Sequence, residues 1–139
     1  MGPLSEYALK IREHIMIAHS LPDAAFGRAE GMHGATFIVN VTFFREKLSD
    51  KNILVNIGLA HEVLKAVLAP LNYQNLDEKQ EFKGKLTTTE FLCRHIFDQL
   101  AEVIADGMLG EDGKALSRMR VTLQESHVAR VWYEGALPK

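Results

Sequence analysis

The sequence is short of the features that staple, anchor or extend a chain. It holds one cysteine, Cys93, so no disulfide can close within it, and a lone thiol fits a reducing compartment. Its apolar stretches fall far below the roughly 18–20 residues of a membrane span. Neither sign of charge prevails: 16 Lys and Arg stand against 18 Asp and Glu, a formal net charge of -2. No basic field points to nucleic acid, and no run of like charge makes a binding tail. Met1–Glu6 has neither a basic nor an apolar region of the kind an export signal needs, so a cytoplasmic protein is expected. Repeats, low-complexity tracts and linkers are also missing. What is present is 139 residues, 47% hydrophobic and 24% charged, enough for one domain over residues 1–139 to bury a core without staples.

Alternation dominates both ends. Tyr7, Leu9, Ile11, Ile15 and Ile17 recur every second position, which predicts a strand over Tyr7–Ala18 with one buried face. Pro22 and Gly27 open a loop that runs to Gly34. Phe37, Val39, Val41 and Phe43 then alternate with Thr36, Asn40 and Thr42. This run continues weakly through Arg45–Lys51 as a hairpin-like bend and returns at Ile53–Val55. The period changes to a helical one over Gly58–Leu68, which Pro70 stops. Asn72–Lys85 reads as a loop. A longer helix opens at Thr88-Thr89-Glu90, with Thr87 as its N-cap and Glu90 closing a capping box. Phe91, Leu92, Ile96, Leu100, Val103 and Ile104 line its apolar side, and Gly107 and Gly110 end it. Met119, Val121 and Leu123 form an inward face, and a turn near Ser126-His127 leads to a last strand through Val131 and Tyr133. The order predicts an α+β domain, ββααββ, with a four-stranded antiparallel sheet and two helices on one face. Its open edges invite pairing between copies.

Four places carry chemistry: Ala18-His19-Ser20-Leu21, His33-Gly34-Ala35, Leu71-Asn72-Tyr73-Gln74-Asn75-Leu76-Asp77, and Thr87-Thr88-Thr89-Glu90 together with Glu125. In this order, on this string of elements, they resemble the 6-pyruvoyl-tetrahydropterin synthase and 6-carboxy-tetrahydropterin synthase family, from about Ile15 to Tyr133. The resemblance implies the tunnelling fold (T-fold), in which three sheets join into a β-barrel and two trimers stack into a hexamer with active sites between subunits.

The resemblance also shows where this chain departs. Family enzymes hold zinc with one histidine ending the first strand and two in a His-Gly-His entering the second. His19 and His33 match the first two positions. Ala35, on the same strand face as His33, stands at the third and has no donor atom. His14 has the opposite strand parity to His19 and is a poor replacement. The family cysteine four residues before His-Gly-His corresponds to Ala29, and its Asp-His pair to Asn72-Tyr73. Asparagine cannot stabilise an imidazolium by charge, and a tyrosine of ordinary pKa about 10 is a poor base at neutral pH. Cys93, mid-helix on another element, reads as packing. A divergent member without the full zinc site and without the synthase reaction is expected, with no metal or other cofactor; His19 and His33 then read as polar pocket residues.

The ring-holding positions remain. Glu125 matches the family's pterin-recognising glutamate, whose carboxylate can accept two N–H bonds from the heterocycle. Thr88, Thr89 and Glu90 match the segment that faces the ring. Ordinary alternatives stand beside each: a strand-end glutamate is usually solvated, and Thr-x-x-Glu is usually a helix cap. Tyr73, His127, His33 and Glu30 are the candidate acid–base groups. His61 and His95 read as helix surface residues, and Trp132 and Tyr133 as sheet packing. Three readings follow: an altered, metal-independent lyase acting on a pterin side chain; a non-catalytic pterin-binding module; or a structural oligomer in which Arg118, Arg120 or Arg130 pairs with Glu125. The expected partners are a pterin-like small molecule and further copies of the chain, with no nucleic acid and no membrane.

Overall fold

The computed structural model describes residues 5–138; Met1–Leu4, part of the segment read as lacking an export signal, lie outside the described residues, as does Lys139. Strands β1 (Tyr7–His19) and β2 (His33–Arg45) form a long antiparallel hairpin whose register runs from Tyr7 opposite Arg45 to His19 opposite His33. The alternation works as the sequence predicts. Ile11, Ile15 and Ile17 are buried against Phe37, Val39, Val41 and Phe43, while Lys10, Arg12, His14 and Met16 are exposed. Strand β4 (Arg118–Ser126) pairs with β2 and β5 (Ala129–Ala136) pairs with β4, both antiparallel.

Helix α1 (Ile57–Leu68) is capped by Asn56, whose Oδ1 accepts from the Leu59 amide at 2.9 Å, and stops before Pro70. It buries Ala60, Val63, Leu64 and Leu68, an i, i+3, i+4, i+8 stripe, against β1. Helix α2 (Thr89–Ala105) lays Leu92, Cys93, Ile96, Phe97, Leu100 and Ile104 on β4 and β5. Strand and helix residues merge into one core cluster. Truncating a fully buried member such as Phe37 to alanine costs about 3–5 kcal/mol. Among the described residues no helix is long and apolar enough to cross a membrane.

The structure corrects the expected sheet. It has five strands in the order β3-β1-β2-β4-β5 and is mixed, because β3 (Gln74–Asn75) runs parallel to the end of β1 at Ile17–Ala18. The expected loop turns there because Asn72 and Tyr73 grip one residue of β1. Asn72 Oδ1 accepts from the Met16 amide at 3.0 Å, and the Tyr73 amide donates to the Met16 carbonyl at 2.6 Å. A two-residue strand has no period to read. Ile53–Val55 is not a strand; Leu54 and Val55 are buried, but the Leu54 carbonyl is taken by the Arg45 side chain rather than by a ladder. Short 3-10 turns at Ala24–Glu30, Leu76–Glu78 and Gln80–Phe82, and a five-residue helix α3 (Gly110–Lys114), stand where loop was expected.

The N-cap of α2 is Thr88, not Thr87: Thr88 Oγ1 accepts from the Phe91 amide at 3.1 Å. This moves Glu90 out of the capping-box position. His95 is not a free surface residue, since it packs against Phe82 and Phe91. Of the last-strand aromatics, Tyr133 packs edge-on to Phe97, whereas Trp132 is 59% exposed on the opposite face.

Candidate functional site

The end of β1 and the start of β2 bring His19 and His33 directly opposite each other, with ring centroids 4.6 Å apart and planes tilted by 59°. Each ring is held through one nitrogen. His33 Nδ1 lies 2.9 Å from the Gly31 carbonyl, which can only accept, so Nδ1 carries a proton and Nε2 is the nitrogen left for another partner. His19 is 3% exposed, and its Nδ1 is hydrogen-bonded to Thr87 Oγ1 at 2.9 Å. Ala35, two residues along β2 from His33 and opposite Ile17, shares their face and packs on the core. His14 lies exposed on the other side of the sheet, as its parity requires.

Two carboxylates flank this pair. Asp77 follows β3 and accepts from the Ser20 amide at 3.0 Å and from the Ser20 hydroxyl, clamping the chain where it leaves β1. Glu125, near the end of β4, is exposed and accepts from Thr89 Oγ1 at 3.2 Å. Burial lowers the pKa of His19 below the ordinary histidine value, and the neighbouring His33 adds to this. Asp77, Glu125 and a hydrogen bond with the Thr87 backbone pull the other way and do not prevail. His19 is therefore a neutral imidazole at pH 7.

The fold gathers some of the expected residues and not others. His19, His33, Thr89 and Glu125 converge, and Thr88 caps the helix beside them. Glu90 is exposed in the first turn of α2. Among the described residues no side-chain hydrogen bond or ion pair joins Tyr73, His127 or Glu30 to this cluster. Tyr73 is 77% exposed at positive φ (58°), His127 sits exposed in the β4–β5 turn, and Glu30 is exposed at the end of a 3-10 turn. Cys93 is fully buried, its Sγ donating to the Val121 carbonyl at 3.1 Å, and burial pushes its pKa up to about 11, so it is packing as expected.

Two of the arginines suspected of neutralising Glu125 are engaged elsewhere, Arg118 with Glu6 and Glu134 and Arg120 with Glu134, while Arg130, opposite Gln124 in the ladder, is exposed and does not pair with Glu125. Among the described residues Glu125 is in no ion pair. Sequence reasoning places Thr87 and Asp77 inside the chemistry-bearing segments but misses what each does. Thr87 reads as a cap in the ring-facing segment, and three threonines in a row are the available signal that one is free for another task. Asp77 is only the end of the segment from Leu71.

The sequence model of the 6-pyruvoyl tetrahydropterin synthase family matches residues 8–136, and the chain belongs to that family. It is 30% identical over 91 residues to 6-carboxy-5,6,7,8-tetrahydropterin synthase of Bacillus subtilis (strain 168), covering 63% of this chain and 60% of that protein. It is 32% identical over 83 residues to 6-pyruvoyl tetrahydrobiopterin synthase of Dictyostelium discoideum, covering 58% and 62%. Each match thus spans only some three-fifths of the relative's length. In fold, the Caenorhabditis elegans 6-pyruvoyl tetrahydropterin synthase superposes with a TM-score of 0.77 over 98% of this chain and 100% of that one, at 18% identity.

Proposed function

We propose that this chain binds a pterin-like ring through Glu125, Thr88, Thr89 and Glu90, and that it does not run the zinc-dependent synthase reaction of its family. The observation that carries the second half is the donor set at the head of the first hairpin. Two imidazoles face each other, and the third position on that face is the methyl group of Ala35. A catalytic zinc needs three protein ligands besides its water. Among the described residues no group of three His, Cys, Asp or Glu is arranged to hold a metal ion, so the residues do not fit the family's zinc. The first half is supported by Glu125, whose carboxylate is exposed and tied only to the Thr89 hydroxyl, leaving acceptor capacity for two ring N–H groups.

Without a metal, the chemistry left to the site is lysis of a side chain next to the electron-accepting ring. A base takes the proton of the hydroxyl on the second side-chain carbon, and the bond between the first and second side-chain carbons breaks with its electron pair passing into the ring. The second carbon leaves as the carbonyl of the departing fragment, and the first carbon, still attached to the ring, takes back a proton. His33, with Nε2 free, is the candidate base already in the cluster. Tyr73, His127 and Glu30 reach it only if neighbouring copies bring them. The edge of β1 that the two-residue β3 leaves uncovered, and the open edge of β5, favour such an assembly, which we take to be the family's hexamer, a dimer of trimers in the cytoplasm. The alternative, a binding module without turnover, is favoured by the exposed, unengaged positions of those three side chains.

A screen of dihydropterins for binding, with product analysis of whatever binds, separates the readings. Glu125→Gln should weaken binding of the best pterin by at least ~1 kcal/mol, since a charge-assisted pair is lost. An unchanged affinity sinks the anchor, and binding with no new product leaves the module reading.

A further inference from the structure

Leu76 and Thr87 are both buried, and between them only Phe82 is, at 4% exposure. The backbone hydrogen bonds of this stretch close on itself: Lys79 to Leu76, Phe82 to Lys79, Lys83 to Gln80 and Lys85 to Phe82. Beyond the Asp77 clamp on Ser20, and Lys85 Nζ at 5.8 Å from the centroid of the Phe91 ring of α2, its buried attachment to the body is the Phe82 ring. That ring seats edge-on against two rings of α2, His95 at 5.0 Å and Phe91 at 5.8 Å between centroids. Phe91 and His95 are one helical turn apart and nearly parallel, with 9° between their planes. The stretch walls a cavity of about 430 Å³ whose opposite side is Ser20, Pro22 and Asp23. It runs directly into Thr87 and Thr89, which hold His19 and Glu125.

We propose that residues 78–86 form a strap over this cavity, latched by insertion of Phe82 against Phe91 and His95, and that protonation of His95 releases it. A neutral imidazole packs against phenyl edges at little cost, whereas an imidazolium there must give up water. Burial is the main force lowering the pKa of His95. Lys85 and Lys79, both on the strap, act in the same sense, and Glu81 on the strap and Asp98 on α2 oppose it without prevailing. Because the latched state has the lower pKa, the latch is at full strength above the ordinary histidine value of about 6.5 and weakens as pH falls below it. The charges add a direct push, since an imidazolium at position 95 repels Lys79 and Lys85. The device does not depend on which ligand the site holds. It links pH to access at the cavity and, through Thr87 and Thr89, to the positions of His19 and Glu125.

Hydrogen exchange of the full chain at about pH 7.5 and about pH 5, corrected for the intrinsic dependence of exchange on pH, tests this across the histidine range. Amides of residues 79–86 should open more at acid pH, by up to about thirtyfold at about pH 5, the limit set by a released imidazole of ordinary pKa about 6.5, while core amides of β2 and β4 stay protected. His95→Phe keeps a ring in the latch and should remain closed at both pH values; His95→Gln, which cannot charge, should also lose the pH response. Phe82→Ala should leave the strap open at both. A wild-type strap whose protection ignores pH overturns the proposal. So does a pH response that survives in both His95 variants, or a Phe82→Ala strap as protected as the wild type.

Discussion

If Ala35 alone separates this site from a zinc site, then Ala35→His should make one. The β1–β2 register sets the geometry. His19 and His33 are a directly opposed pair, for which Cβ atoms lie about 4.5–5.5 Å apart. Residue 35 is two positions along β2 on the same face, roughly 6.5 Å from 33, and diagonal to 19 at about 7–8 Å. Three imidazoles rising from such a triangle can converge on one metal at about 2.0–2.1 Å, leaving a fourth position for water. Two of the three rings are already held through Nδ1, His33 to Gly31 and His19 to Thr87, which leaves Nε2 of each as the nitrogen a metal would take. The new ring at a half-buried alanine costs about 1–3 kcal/mol in crowding. At zinc a thousandfold above its dissociation constant, binding returns about 4 kcal/mol. For a chain of this size each kcal/mol moves the midpoint by roughly 3–5 °C, so zinc should raise the Tm of Ala35→His by about 10–20 °C. Metal analysis should find one zinc per chain in the variant and well under one in the wild type, and adding His33→Ala to the variant should abolish the gain. Stoichiometric, tightly held zinc in the wild type, or a variant that ignores zinc, would refute the assignment.

Other consequences are as direct. Thr87→Val leaves Nδ1 of His19 buried without its partner and should destabilise the protein by about 1–3 kcal/mol in urea denaturation; a change below ~0.5 kcal/mol would mean that His19 finds water there. The Ser117 hydroxyl first, and Arg118 with it, hold the Glu6 carboxyl below the usual range against desolvation. Desolvation works to raise Glu134, but Arg120 and Arg118 outweigh it. These two groups contribute stability above their ordinary pKa of about 4.5 that is lost as pH falls through their lowered values, so acid midpoints should shift toward neutrality in Glu134→Gln. Cys93, with its pKa at about 11 and its side chain fully buried, should resist alkylation in the native protein and react only on unfolding; rapid modification at mild alkaline pH would contradict the packing.

The parts of the fold legible in the sequence are those where burial imposes a period. Ile11, Ile15 and Ile17, Phe37 to Phe43, and Met119 to Leu123 alternate because one sheet face is covered by helices and the other is not. The stripe on α1 and the run from Leu92 to Ile104 follow from the same constraint at helical spacing. What could not be read was held by single side chains. β3 exists because the Asn72 amide oxygen and the Tyr73 backbone grip Met16, and the 78–86 stretch stays down because one phenylalanine is seated. Ile53–Val55 misled because an apolar triplet looks the same whether it pairs in a ladder or plugs a turn. Neither specific side-chain bonds nor single plugs leave a repeating trace.

The site divides along the same line. Positions set by the hairpin register were legible: His19, His33 and Ala35 share a face because strand parity demands it, and His14 is excluded for the same reason. Positions set by the chain's path between elements were not. Thr87 turns out to hold His19 because α2 begins one residue later than a capping box would place it. That division bears on how such a protein can change its chemistry. The register fixing His19 against His33 is enforced by thirteen paired positions and a buried face, so replacing one donor by a methyl group disturbs no packing that the fold needs. The ring-holding side that we propose rests instead on the junction of the helix N-terminus and the strand end, Thr88, Thr89 and Glu125, none of which is a member of the histidine pair. The two sides meet only at the start of α2, where Thr87 holds His19 and Thr89 holds Glu125, and residue 35 lies away from that junction. Under the proposed function, a single substitution at residue 35 should therefore alter metal binding while leaving affinity governed by Glu125 unchanged. If Ala35→His gains zinc and also loses pterin binding, that separation is wrong, and the two functions share the hairpin head.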